Sequence, residues 1–166
     1  MSHEQRFEAL FKQHSTSILG YLVRRVDAAE DAADLMAEVF AIAWRRIHDA
    51  PPGDEGRLWL YGIARKVLAN HRRGSTRRGR LADRLREQLR AQPGDDGGGQ
   101  PVRAALERLS VADRELLTLT AWEQMSPGEI AVVLGLEPAT VRTRLSRARA
   151  RLRAVLDEHA RAAAPC

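Results

Sequence analysis

The sequence predicts an all-α protein made of two small helical domains joined by a flexible linker. Three observations lead there. Apolar residues recur at helical spacing along nearly all of the 166 residues. No β-branched run alternates with polar residues for long enough to make a strand. The stretch Ala-Gln-Pro-Gly-Asp-Asp-Gly-Gly-Gly-Gln-Pro, from Ala91 to Pro101, cannot bury apolar surface and carries two helix-breaking prolines. The expected division is therefore a domain over residues 1–74, a basic segment and linker over 75–101, and a domain over 102–160. Each domain has room for only a modest core, so a partner is expected to set their relative orientation.

In the first domain, Phe7, Leu10, Phe11, Ile18, Leu19 and Leu22 form the apolar stripe of a helix ending near Val26, with Gly20 weakening it. A second helix is expected to start at Asp27. There Asp-Ala-Ala-Glu has the form of a capping box, whose Asp27 carboxylate can accept from the first orphan amides. It runs to about His48. The segment Asp49-Ala-Pro-Pro-Gly-Asp-Glu-Gly breaks it, and a third helix begins near Arg57 and continues through Trp59, Leu60, Ile63, Val67 and Leu68. Beyond it the chain turns basic, with ten Lys or Arg between Arg65 and Arg90 against two acids, Asp83 and Glu87.

The second domain carries the most specific local signal. Ser126-Pro-Gly-Glu129 supplies an N-cap, a proline at the first helical position and a glutamate three residues on, so a helix begins here. Ile130, Val133 and Leu134 form its buried side. Gly135 ends it by adopting the left-handed conformation of a tight turn, and Leu136 plugs the corner. Pro138 starts the next helix, with Val141, Leu145, Ala148 and Leu152 on one face and Arg142, Thr143, Ser146 and Arg147 on the other. This order is that of a helix-turn-helix with its recognition helix. Between Arg142 and Arg153 lie six arginines and no acid, whereas a solvated amphipathic helix normally mixes both signs. Arginine on such a face can pair with guanine in the major groove, and Arg149, Arg151 and Arg153 are expected to add phosphate-directed charge behind it.

Composition agrees with an anionic partner. With 27 basic residues against 22 acidic ones the formal charge is +5 and the pI about 10.3, which suits nucleic acid or an acidic membrane surface. The longest apolar run, Val39 to Trp44, is far too short to span a bilayer. The N-terminus has no export signal, so a cytoplasmic location is expected. Cys166 is the single cysteine, which excludes an internal disulfide and a cysteine zinc cage within one chain. His3, His14, His48, His71 and His159 have no ligand-like spacing and there is no glycine-rich phosphate loop. No catalytic group, metal or cofactor is therefore expected.

The segment from Met125 to Leu152 resembles region four of extracytoplasmic-function sigma factors, and Leu109-Ser-Val-Ala-Asp-Arg-Glu-Leu-Leu-Thr-Leu resembles the helix beneath it. That resemblance implies contacts to the minus-thirty-five promoter element from Arg142, Thr143, Ser146 and Arg147. Asp34-Leu-Met-Ala-Glu-Val-Phe40, followed by Ala43-Trp44-Arg45, is similar to the region-two helix that docks on the β′ clamp helices of RNA polymerase. It implies polymerase contacts from Asp34 and Glu38, which lie one helical turn apart. Ala37 stands where the family commonly has glutamine.

The segment from Arg57 to Asn70 resembles the region that captures the minus-ten element as the duplex opens. The residues implied are Arg57, Trp59, Arg65, Lys66 and Asn70, together with His48 and Asp49 in a loop that would receive a flipped base. Trp59 fits either base stacking or the core, and Lys66 stands where the family often has asparagine. The linker occupies the place of the family's variable tether. The partners implied are core RNA polymerase, through its β′ clamp helices and β flap, promoter DNA and, as for many family members, an anti-sigma factor. Two other readings stay open: a dimeric stand-alone operator-binding regulator, and an enzyme acting on nucleic acid, for which no catalytic constellation is found.

Overall fold

The computed structural model describes residues 1–78 and 100–164, which are helical throughout apart from short connections. The chain divides into two compact units, Met1–Ala91 and Gln92–Cys166. Of the expected segment over 75–101, residues 79–99 lie outside the described residues; 75–78 continue the third helix and 100–101 open the next one.

In the first unit, α1 (His3–Val23) starts in a capping box that the sequence reading did not find. The Ser2 hydroxyl accepts from the Gln5 amide, and the Gln5 side chain accepts in return from the Ser2 amide. Ile18 and Leu22 are buried as expected, while Phe11 is more than a third exposed. His14 and Tyr21 join the buried face at helical spacing from the apolar residues. α2 (Ala29–Arg45) starts two residues later than expected. Its N-cap is Ala28, in an extended conformation with no side-chain cap, so Asp27 stands outside the first turn and does not form the expected box. Glu30 and Asp31 in the first turn complement the helix dipole instead.

α2 also ends earlier than His48. A 3-10 turn, Ile47–Asp49, follows it, with Ile47 buried. Ala50 is extended, as a residue before proline prefers, and this pulls the chain out of helix. α3 (Glu55–Arg78) then packs against both α1 and α2. Leu60, Ile63, Ala64, Val67 and Leu68 of α3 are buried, as are Ala32, Leu35, Val39 and Ala43 of α2, the helix it packs against. Tyr21 and Tyr61 meet edge to face at 5.4 Å.

The second unit has α4 (Gln100–Glu107), α5 (Val111–Ala121), α6 (Pro127–Leu134) and α7 (Pro138–Ala163). Pro101 sits in the first turn of α4, where its missing N–H costs nothing. Arg114 closes the other end of α4 by donating to the carbonyls of Leu106, Glu107 and Leu109. Ser110 caps α5 by accepting from the Asp113 amide. The core gathers Leu116, Leu119, Met125, Ile130, Val141 and Leu145 where α5, α6 and α7 pack together.

Candidate nucleic-acid interface

The turn ahead of the recognition helix follows the sequence closely. The Ser126 hydroxyl accepts from the Glu129 amide at 3.2 Å, and the Glu129 carboxylate accepts from the Ser126 amide at 3.1 Å. Gly135 has φ +66° and ψ +38°, the left-handed region where a Cβ is penalised. The Leu136 amide then donates to the Ala131 carbonyl, and Pro138 opens α7. Leu134, Leu136 and Leu152 are half-buried, so the apolar seal rests on Ile130, Val133, Val141, Leu145 and Ala148.

Opposite that seal, Arg142, Thr143, Ser146 and Arg147 are all exposed. Their spacing puts them on one face of α7. The Thr143 hydroxyl donates back to the Ala139 carbonyl at 3.1 Å, and the residue remains exposed. Arg149 and Arg153 are exposed as well. Arg151 departs from the expectation of phosphate-directed charge. Its guanidinium is bound to both carboxylate oxygens of Asp113, at 3.0 and 2.8 Å, so the acid missing from α7 itself arrives from α5.

In the first unit the expected minus-ten residues fall into three groups. Trp59, Lys66 and Asn70 share one face of α3, at about 100° per residue, with Trp59 half-buried and the other two exposed. Arg73 extends that face and donates to the Asn70 side-chain oxygen at 2.7 Å. Arg57 and Arg65 lie on a different face, on either side of buried Tyr61, and both are half-buried. Arg57 stands 5.9 Å over the Tyr61 ring. His48 and Asp49 are exposed in the 3-10 turn, where Asp49 pairs with Arg46 at 3.1 Å and with His48 at 3.3 Å.

Two long-range contacts place this loop. Arg6 donates to the Ala50 carbonyl at 2.7 Å, bridging 44 residues. Gly56 lets α3 approach α1 closely, since a Cβ there would stand 2.9 Å from a Leu10 methyl and 3.3 Å from the Pro51 carbonyl. Buried His14 belongs to the same neighbourhood. Desolvation holds its pKa below the ordinary histidine value, the positive charge of Arg57 adds to the lowering, and Asp54 opposes it.

Asp34 and Glu38 are exposed on one face of α2, with Ala41 and Arg45 continuing it. Trp44, close to half exposed, borders this face and meets Phe7 edge to face at 5.3 Å. Among the described residues no group of three or more His, Cys, Asp or Glu is placed to hold a metal ion, and no helix is long and apolar enough to cross a membrane. Arg6, His14, Asp113 and Arg114 were not singled out from sequence. The helical spacing of His14 on the α1 stripe was the one local signal available for any of them.

Comparison with known proteins agrees with this arrangement. Residues 10–78 match the family model for Sigma-70 region 2, and residues 99–152 match that for Sigma-70, region 4. The RNA polymerase sigma factor CnrH of Cupriavidus metallidurans is 32% identical, over 93% of this chain and 88% of the relative. The RNA polymerase sigma-E factor of Streptomyces coelicolor is also 32% identical, over 92% and 87% of the two chains. The solved structure of CnrH in complex with the cytosolic domain of CnrY superposes with a TM-score of 0.65 at 31% identity, covering 92% of this chain and 88% of that one. Two family models in that order, with relatives 32% identical and covered over most of their length, make this chain a member of the extracytoplasmic-function group of sigma-70 factors, which direct RNA polymerase to promoters to initiate transcription.

Proposed function

We propose that the chain reads a promoter at two elements, with α7 in the major groove of the minus-thirty-five element and the face of α3 with its preceding loop at the minus-ten element. The observation that carries this is the recognition helix. Arg142, Thr143, Ser146 and Arg147 stand exposed opposite buried Val141, Leu145 and Ala148, behind a turn fixed by left-handed Gly135. Arg142 and Arg147 pair with base edges, and Thr143 and Ser146 supply shorter-range contacts. Residues 1–74 act as region two and residues 102–160 as region four, with the basic segment and linker between them.

At the minus-ten element, Trp59, Lys66 and Asn70 form the more coherent group, a stacking surface followed by a cation and an amide along one helix face. His48 and Asp49 line the loop that receives a flipped base. Arg57 and Arg65 contribute positive potential beside it. Asp34 and Glu38 dock on the β′ clamp helices of core RNA polymerase, and the region-four unit contacts the β flap. An anti-sigma factor that covers both DNA-binding units is the proposed regulator, a reading supported by the protein partner bound to CnrH in its solved complex. The protein acts in the cytoplasm beside the polymerase.

The test is transcription in vitro by core RNA polymerase, with and without the protein, across a library of promoter fragments. New start sites sharing two spaced elements are expected. Loss of upstream-element dependence in Arg142→Ala or Arg147→Ala assigns the contacts to α7. Inactive polymerase together with specific duplex binding by the protein alone would overturn this reading in favour of a stand-alone regulator.

A further inference from the structure

We propose that Asp113 is a positioning residue for promoter readout, its charged pair with Arg151 setting the rotation of the recognition helix about its own axis. The inference rests on α7 reading duplex DNA as proposed above. Along α7 the apolar anchoring is uneven. Val141, Leu145 and Ala148 are buried, but further along Leu152, Val155 and Leu156 are only half-buried. The Asp113–Arg151 pair forms where that anchoring weakens. Arg151 lies one helical turn beyond Arg147, on the side of α7 that faces α5, and its Nη1 alone donates to both oxygens of Asp113 at 3.0 and 2.8 Å. Asp113 is itself fixed, 7% exposed in the first turn of α5, with its amide donating to the Ser110 hydroxyl at 3.1 Å.

Smooth apolar contacts resist separation of two helices more than they resist rotation of one against the other. A guanidinium nitrogen seated between both oxygens of an immobile carboxylate resists rotation, because turning α7 draws it out of a charge-assisted contact. The lever is long enough to matter. A rotation of about 20° moves a side-chain tip about 5 Å from the helix axis by about 2 Å, more than a base-edge hydrogen bond tolerates. Asp113 therefore acts on specificity through Arg151 without touching DNA. It also withholds that arginine from the phosphates. Among the described residues, Arg151 is the one arginine between Arg142 and Arg153 tied to a carboxylate.

The pair is asymmetric, with the Arg151 side chain 58% exposed and that of Asp113 10% exposed. Neutralising Asp113 leaves a hydrated arginine, which costs little folding free energy, whereas truncating Arg151 strands a buried carboxylate. Asp113→Asn is therefore the variant that alters readout with the least damage to the fold. Arg151→Lys keeps the charge but shortens the reach and puts a freely turning ammonium in place of the flat guanidinium.

The experiment measures binding of the full chain to two duplexes, one carrying the upstream element found by the transcription screen and one with that element scrambled. The readout is the ratio of the two affinities, which partial unfolding leaves unchanged because it weakens both equally. The ratio is expected to fall roughly tenfold in Asp113→Asn, about what one bidentate base contact contributes, and to fall in Arg151→Lys as well. In Asp113→Asn alone, the released arginine is expected to steepen the salt dependence of binding to the scrambled duplex by about one counter-ion. A wild-type ratio in either folded variant would overturn the proposal, and if Asp113→Asn does not fold, Arg151→Lys decides it. Arg147→Ala separates the two levels of inference. If wild type shows no preference, or Arg147→Ala retains it, the reading of α7 fails and the positioning role goes with it. If wild type discriminates, Arg147→Ala does not, and Asp113→Asn still does, only the positioning role fails.

Discussion

The turn between α6 and α7 and the loop between α2 and α3 both stand beside proposed DNA-reading groups, yet they are held by different means. The turn is closed within a dozen residues by the Ser126–Glu129 box, left-handed Gly135, the Leu136 amide and Pro138. The loop has local punctuation too, in Pro51 and Pro52, but it also leans on Arg6 and Leu10 of α1, with buried His14 feeling the charge of Asp54. A locally coded connection holds its shape wherever its own sequence is intact. One coded by distant contacts depends on the packing of the whole unit, which suits a segment that must accept a base during strand opening.

Three substitutions test that difference. Leu145→Ala removes a side chain 2% exposed from the seal behind α7 and is expected to cost about 3 kcal/mol. Urea denaturation followed by amide exchange should show protection lost together across α6 and α7, because a tight turn does not substitute for the core it sits on. Arg6→Ala removes the donor to the Ala50 carbonyl and is expected to cost about 1–2 kcal/mol. Faster exchange should concentrate in residues 47–58, and a uniform loss across α1–α3 would mean that the loop has no separate mobility to gain. Gly135→Ala meets no atom within 4 Å, so it isolates backbone strain and should cost about 1 kcal/mol. If thermal melting showed no destabilisation, the left-handed conformation would be incidental and the local account of the turn would fail.

The same division explains what was legible in the sequence. The helix-turn-helix could be read residue by residue, because caps, a left-handed glycine and an N-terminal proline act on their immediate neighbours. The all-helical class and the core of α3 followed from periodicity. The start of α2 was misplaced because Asp27 offered an attractive capping pattern, yet the helix opens at Ala29 and its N-cap, Ala28, makes no side-chain cap bond. Arg151 was misjudged for a related reason. Its sequence neighbourhood holds only like charges, and the carboxylate that engages it is 38 residues away. The residues assigned to the minus-ten element between Arg57 and Asn70 came from one segment, but helical geometry parts Trp59, Lys66 and Asn70 from Arg57 and Arg65. Spacing alone contained that split.

His14 gives the comparison its mildest test, through pH. Its imidazole is 6% exposed, on the α1 face that carries Ile18, and its folded pKa is lowered by desolvation first and by Arg57 second, against the pull of Asp54. The unfolded chain therefore binds a proton more readily than the folded one. Stability from this group is fully present above the unfolded value, about 6.5, and is lost as pH falls through that value toward the folded pKa. Urea midpoints for the wild-type chain should thus decline between pH 7.5 and pH 5.5, about one unit on either side of the unfolded value, with the exchange of residues 50–58 rising in step. His14→Leu removes the titration while keeping an apolar side chain at the position, so its midpoint should vary less over that range. An equal decline in both proteins would assign the pH dependence to other groups and detach His14 from the loop. A smaller decline in the variant, confined to the loop amides, would show that the long-range contacts holding the proposed base-receiving segment include a group whose charge the solvent controls.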